Sequence, residues 1–237
     1  MSLILPAYIQ RDPDYYVTDF SEYTTGVQPH DWSKRWGGAH YTPTIETSSG
    51  SLSGKALRFN ITVTGGLGLF TWDRVPLVAD VEILARGRVI TNPLNTINTF
   101  TRLGVRGGGG VGSETAYSAL AFYHTSAGTD WRIQTNKNVS GTSSIISGPT
   151  DGPSPTISST GPSVWIWTRF RIQGSSISRK SWQHGASEPA FQDTVSDTSI
   201  TGAGWVGDYV AEQQIHMRET DFFSVALRGK TAPSSKR

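Results

Sequence analysis

Two acidic side chains two residues apart, Asp80 and Glu82, are the nearest approach in this sequence to catalytic machinery. Alternate residues of a strand share one face, so both carboxyls would project the same way. Paired-carboxylate hydrolysis of a glycosidic bond needs an acid and a nucleophile, about 5 Å apart when configuration is retained. The competing role is structural, with Asp80 and Glu82 on a solvated or inter-subunit face, paired with Arg86 or Arg88; that is the role we expect. Other chemistries find less. There is no cysteine, which removes disulfides, thiolate metal sites and thiol nucleophiles. No Gly-x-Ser-x-Gly supplies a nucleophile elbow. His30, His40, His124, His184 and His216 are scattered without ligand spacing and read as surface or turn residues. Gly229-Lys230-Thr231 has the ending of a phosphate-binding loop, but Ser224 stands where its first glycine belongs. Gly107–Gly110 lacks the lysine and the following helix, and reads as a turn. Asn60-Ile61-Thr62 and Asn138-Val139-Ser140 match the glycosylation sequon and are read as chance.

The elements that would position any such site follow a period of two. Leu57, Phe59, Ile61 and Val63 alternate with Arg58, Asn60, Thr62 and Thr64, and Val81, Ile83, Ala85 and Val89 oppose Asp80, Glu82, Arg86 and Arg88. Further strands are predicted over Thr99–Arg106, Ala116–His124, Trp131–Thr135, Val164–Gln173, Ile177–Trp182, Gly204–Val210 and Phe222–Leu227. Turn signals such as Gly65-Gly66, Asn92-Pro93, Gly161-Pro162 and Gly174-Ser175 separate them. Only Ala211–Glu219 has the composition of a short helical turn, and Ser140–Pro162 reads as loop. The 237 residues, 26 of them glycine, fit one all-β sandwich spanning 15–228, with little or no helix. Residues 1–14 read as an N-terminal arm and 229–237 as a polar tail with no reason to be ordered unless docked. A net charge of +2 without a basic stripe argues against nucleic acid. The opening MSLILPAYIQRDPD has too short an apolar run for a signal or a membrane span, so a soluble chain is expected.

Three segments in order carry a resemblance. They are Asp19-Phe20-Ser21-Glu22-Tyr23-Thr24-Thr25-Gly26 with Trp32 and Trp36; Gly54-Lys55-Ala56-Leu57-Arg58-Phe59 leading to Asp80–Arg88; and Trp167–Gly174, continuing through Trp182, Gly185 and Glu188-Pro189 to Asp221-Phe222-Phe223-Ser224-Val225. The set resembles the concanavalin A-like lectin/glucanase (laminin-G-like) jelly roll, in the version found in tailed-phage virion proteins. The resemblance implies two antiparallel sheets, one concave, with the first and last strands adjacent. Glucanases of this fold carry Glu, Asp and Glu at alternate positions of one strand; here Val78 stands where the first acid would be, and the strands that follow are acid-free. A non-enzymatic protein is therefore expected.

Two kinds of site follow. The resemblance implies a structural calcium at Asp19 and Asp221, completed by main-chain carbonyls, against plain hydrogen bonding of Asp221 at a strand start. On a regular strand Trp165, Trp167, Arg169 and Arg171 share one face, opposite Ile166, Phe170 and Ile172. That face is an aromatic–cation surface for a glycan or a partner protein, or else the tryptophans cover the sandwich edge. Trp32, Trp36 and Tyr41 leave the same choice open. The function expected from the resemblance is a phage virion component, as capsid decoration or on a tail or fibre, assembled in the host cytoplasm. It would form homo-oligomers, contact neighbouring virion subunits and reach host-surface glycans. A free carbohydrate-binding module, or a glycoside hydrolase with an atypical site, are the alternatives.

Overall fold

A computed structural model describes residues 14–90, 97–124, 130–151, 164–211 and 215–236. The strands are β1 Tyr15–Thr18, β2 Trp32–Trp36, β3 Tyr41–Thr47, β4 Lys55–Ile61, β5 Gly68–Trp72, β6 Val81–Val89, β7 Ile97–Gly108 and β8 Thr115–His124. They continue with β9 Asp130–Val139, β10 Thr142–Asp151, β11 Ile166–Gln173, β12 Ser176–Gln183, β13 Asp193–Ser196, β14 Trp205–Val210 and β15 Met217–Leu227. There is no helix among the described residues. One sheet runs β13-β12-β11-β6-β15-β4-β3, with β1 also on β15; the other runs β10-β9-β8-β7-β14-β5-β2. Every ladder is antiparallel. Tyr15–Thr18 lies against Phe223–Ala226, which brings the first and last strands together as the resemblance implied.

The alternation predicted the inward face, except that β4 ends at Ile61 and leaves Val63 beyond it, 42% exposed. Leu57, Phe59, Ile61, Ile83, Ala85, Phe170, Ile172, Phe223 and Val225 meet Phe70, Leu103, Val105, Tyr117 and Val206 of the other sheet in one core. Trp32 lies within it, stacked on Phe70 and Trp72 and edge-on to Phe223. It is core rather than a binding platform. Charge also enters this interior: Arg218 donates to Asp208 (2.6 Å) between the sheets and lies over the Phe59 ring.

Two stretches expected to be loop or helix are strands. Thr142–Asp151, inside the stretch read as loop, is edge strand β10, paired with β9 across two register shifts. Its Ser, Gly and Pro content hides the strand, and edges tolerate such residues. The helical turn expected over Ala211–Glu219 is instead strand from Met217, because Met217–Thr220 pairs with β4. Tertiary pairing overrides a weak local propensity there. Residues 212–214 lie outside the described residues, as do residues 1–13 of the predicted arm.

Candidate functional site

Trp167, Arg169 and Arg171 do share the outward face of β11, which register places beside Arg86, Leu84 and Glu82 of β6. That face is not open. Trp167 is 8% exposed and Arg169 3%, because residues 229–236 run across the sheet above them. Trp167 stacks on Trp182 and meets Phe222 edge-on, and Trp165, 6% exposed, lies under the guanidinium groups of Arg86 and Arg88. Arg171 remains partly exposed.

The acids of this face are answered by arginines. Glu82 is buried and pairs with Arg169 and Arg171, rather than lying solvated beside Arg86 or Arg88. Arg86 pairs with Asp221, and Arg88 with Glu219, which also receives Arg58. Sequence distance explains the misassignment: an ion pair inside a sheet joins neighbouring strands, and Glu82 and Arg169 are 87 residues apart. Asp80 stays exposed and accepts from the Gly174 N–H (2.9 Å).

The predicted calcium ligands are similarly engaged. A bulge between Thr220 and Phe222 makes Asp221 the extra residue of β15, aiming its carboxylate at Arg86 (Nε to Oδ1, 2.9 Å) while Oδ2 accepts from the Leu52 N–H. Asp19 accepts from Lys236 Nζ (2.8 Å) and the Ser21 hydroxyl. Burial opposes ionisation of Asp19, but the hydrogen bonds from Lys236 and Ser21 outweigh it and hold its pKa below the usual carboxylate value. Protein cations thus occupy both carboxylates, and the pair does not fit a calcium site. Among the described residues, no three His, Asp or Glu side chains gather to hold a metal ion.

Sequence reasoning missed the outward face of the seven-stranded sheet. Register aligns Asn138 with Ala116, Asn136 with Ser118 and Gln134 with Leu120, and Gly104 with both Ser118 and Gly207. Ala116 packs with Trp36, Leu69 and Tyr209, which identifies this as the face turned away from the core. Trp36 meets the Tyr209 ring edge-on at 6.0 Å, and Gly104 leaves room for that ring, since a Cβ there would fall 3.1 Å from it. Arg102 lies over Tyr209 at 4.8 Å and donates to the Ala211 carbonyl. Burial pushes the Tyr209 phenol above its ordinary pKa against the opposing charge of Arg102, so its O–H stays a donor at neutral pH. Asn138 is 2% exposed and turned to this phenol, where a hydrogen bond from its amide opposes the rise in the phenol's pKa. Gln134 donates to Asn136 beside it. The arrangement is an amide row next to an aromatic floor. The signal for it was present, as Gln134, Asn136 and Asn138 alternate with Ile133, Thr135 and Lys137.

His216, read as a surface or turn residue, is buried, because its carbonyl accepts from the Ile61 N–H and ties the segment to β4. His124 has a side chain outside the described residues.

No family model and no curated sequence matches the chain. Among solved structures it is similar to the exoplasmic/lumenal domain of VIP36 in its Ca2+/Man-bound form (TM-score 0.60, 9% identity, covering 93% of this chain and 92% of that one). It is similar to the CBM2 module of the evolved Dit of Lactobacillus casei BL23 phage J-1 (TM-score 0.50, 10% identity, 91% and 96% covered). It is also similar to a xylan beta-1,4-xylosidase from Bacillus halodurans C-125 (TM-score 0.53, 12% identity), where 94% of this chain spans 41% of the other. These likenesses establish the fold as a concanavalin-like jelly-roll sandwich.

Proposed function

We propose that this chain is a non-catalytic carbohydrate-binding sandwich that takes its glycan on the outward face of the seven-stranded sheet. The observation that carries the reading is the row of amides, Gln134, Asn136 and Asn138, on one face of β9. Gln134 and Asn136, each 9% exposed, are its more accessible members. A sugar hydroxyl donates and accepts at once and so matches the donor and acceptor of an amide, while Tyr209 and Trp36, each 1% exposed, pack under the face as support rather than as open ring surface. The Man-bound VIP36 domain and the phage CBM2 module among the similar structures support the same reading. The non-catalytic part is supported by the carboxylates Glu82, Glu219, Asp221 and Asp208, each held by arginine rather than free to act as acid or nucleophile.

The test is a glycan array followed by affinity measurement on the hits. Asn136→Ala should weaken binding at least about tenfold, the loss of one to two hydrogen bonds, with the fold intact by circular dichroism. Trp167→Phe, on the other sheet, should leave it unchanged. Loss with Trp167→Phe and none with Asn136→Ala would overturn the placement. Release of reducing ends from a bound polysaccharide would overturn the non-catalytic reading.

The setting we propose is a bacteriophage particle, on its head, tail or fibre, where glycan contact would serve adhesion. The phage Dit module supports it. Mass spectrometry of purified particles should find the chain at a fixed copy number, and its absence would sink this part.

A further inference from the structure

Residues 228–236 reverse onto the eight-stranded sheet, and the sheet reads their main chain. Arg228 and Gly229 both take left-handed backbone (φ 53° and 75°), and the Lys230 N–H donates back to the Leu227 carbonyl. Ala232, 1% exposed, fills a recess formed by Leu84, Trp167, Trp182, Phe222 and Ala226. Its N–H donates to Glu82 Oε1 (2.9 Å), and its carbonyl accepts from Arg169 Nη1 (2.8 Å). The Ser224 hydroxyl donates to the Pro233 carbonyl (2.7 Å), and Arg171 reaches the Thr231 hydroxyl (3.4 Å). At the rim, Lys236 donates to Asp19 and Glu22.

A buried carboxylate and guanidinium, paired with each other, thus bracket one residue's N–H and C=O above a methyl-sized recess. This is the chemistry of a peptide-docking site, and without a peptide Glu82 and Arg169 would each lose a hydrogen bond in a buried setting. We propose that this recess docks a Thr-Ala-Pro segment, and that in assemblies it takes residues 229–236 of a second copy of the chain. The contacts made by Thr231 to Lys236 can be made identically by a segment arriving from a neighbour. What changes is the reversal at Arg228, with its Lys230–Leu227 turn bond and its ion pair to Asp14; Arg228 is a non-glycine residue held in the left-handed region at a cost of about 1–2 kcal/mol. An extended Arg228 relieves that cost and sends the segment outward, which is how a strained hinge favours exchange between identical subunits. The inference stands independently of the glycan reading, since it concerns the opposite sheet.

The absence of cysteine makes a direct test available. Full-length chains carrying Ser224→Cys and, separately, Pro233→Cys are mixed and oxidised; a docked segment in cis has no cysteine partner, so a mixed disulfide dimer requires docking in trans. In an equimolar mixture random pairing already gives about twice as much mixed dimer as either homodimer, so the mixed dimer should exceed that share, rise with concentration, and fall back toward it when Glu82→Gln is added to the Ser224→Cys chain. Mixed dimer at or below the random share would overturn the proposal, with closure of the double variant's own disulfide as the control that the two positions can join. Should the cysteine variants fail to fold, light scattering on the unaltered chain and on Arg228→Gly decides. Concentration-dependent association that Arg228→Gly reduces supports exchange, and any other pattern, a monomer throughout included, overturns it.

Discussion

Asp197 accepts hydrogen bonds from the Tyr117 hydroxyl (2.6 Å), Lys137 Nζ (2.6 Å) and the Ser199 N–H (2.8 Å), closing one end of the sandwich. Burial alone would raise its pKa, but these donors outweigh burial and hold the carboxyl well below its ordinary value of 3.8. The Tyr117 phenol, desolvated and bonded to the carboxylate, is pushed up to about 12. A depressed carboxylate contributes stability that is present above its unfolded pKa and is lost as pH falls through the folded one. Urea midpoints should therefore decline below about pH 4. Asp197→Asn should flatten that decline while lowering stability at neutral pH; an unchanged acid limb would refute the assignment. The same residue-scale view separates Glu82 from Asp80. Both were expected on the strand, but Asp80 falls in the bend before β6 and stays exposed, whereas Glu82 lies within β6 and is buried, because Arg169 and Arg171 of the neighbouring strand cover it.

At the scale of elements, β6 and β15 form the spine of the larger sheet, and both are buried on both faces. Gly87 of β6 approaches the opposite sheet closely: a Cβ there would fall 2.4 Å from the Phe100 carbonyl and 2.9 Å from that of Glu219. Backbone cannot yield as a flexible side chain can. Gly87→Ala should cost about 1–3 kcal/mol in urea unfolding, a cost of overpacking. A neutral result would mean that the sheets separate more readily than this packing implies. Strands with clean alternation, such as β4, β6 and β11, were legible in the sequence. β2, β3, β5, β10 and β13 were not, being short, rich in polar or breaker residues, or, like β5, buried on both faces so that no alternation survives. The amide row of β9 was readable as alternation, but its worth as a site depends on Tyr209 arriving from β14.

For the whole molecule, the cations that neutralise Asp19 and Asp221 belong to the chain itself. Chelation with EGTA should leave the melting temperature unchanged, and added calcium should not raise it. A calcium-dependent rise would reveal a linked cation site that Lys236 and Arg86 do not account for. By itself the sequence determined the all-β class, most of the inward-facing residues and the grouping of Trp167, Arg169 and Arg171 on one face of β11. All three follow from a period of two, a local property of the chain. Only the tertiary structure decided what lies over each outward face, because a covering partner is a long-range neighbour that no local period encodes. It set residues 229–236 across the eight-stranded sheet, paired Glu82 with arginines nearly ninety positions on, and set the Asn138 amide against the Tyr209 phenol on the other side.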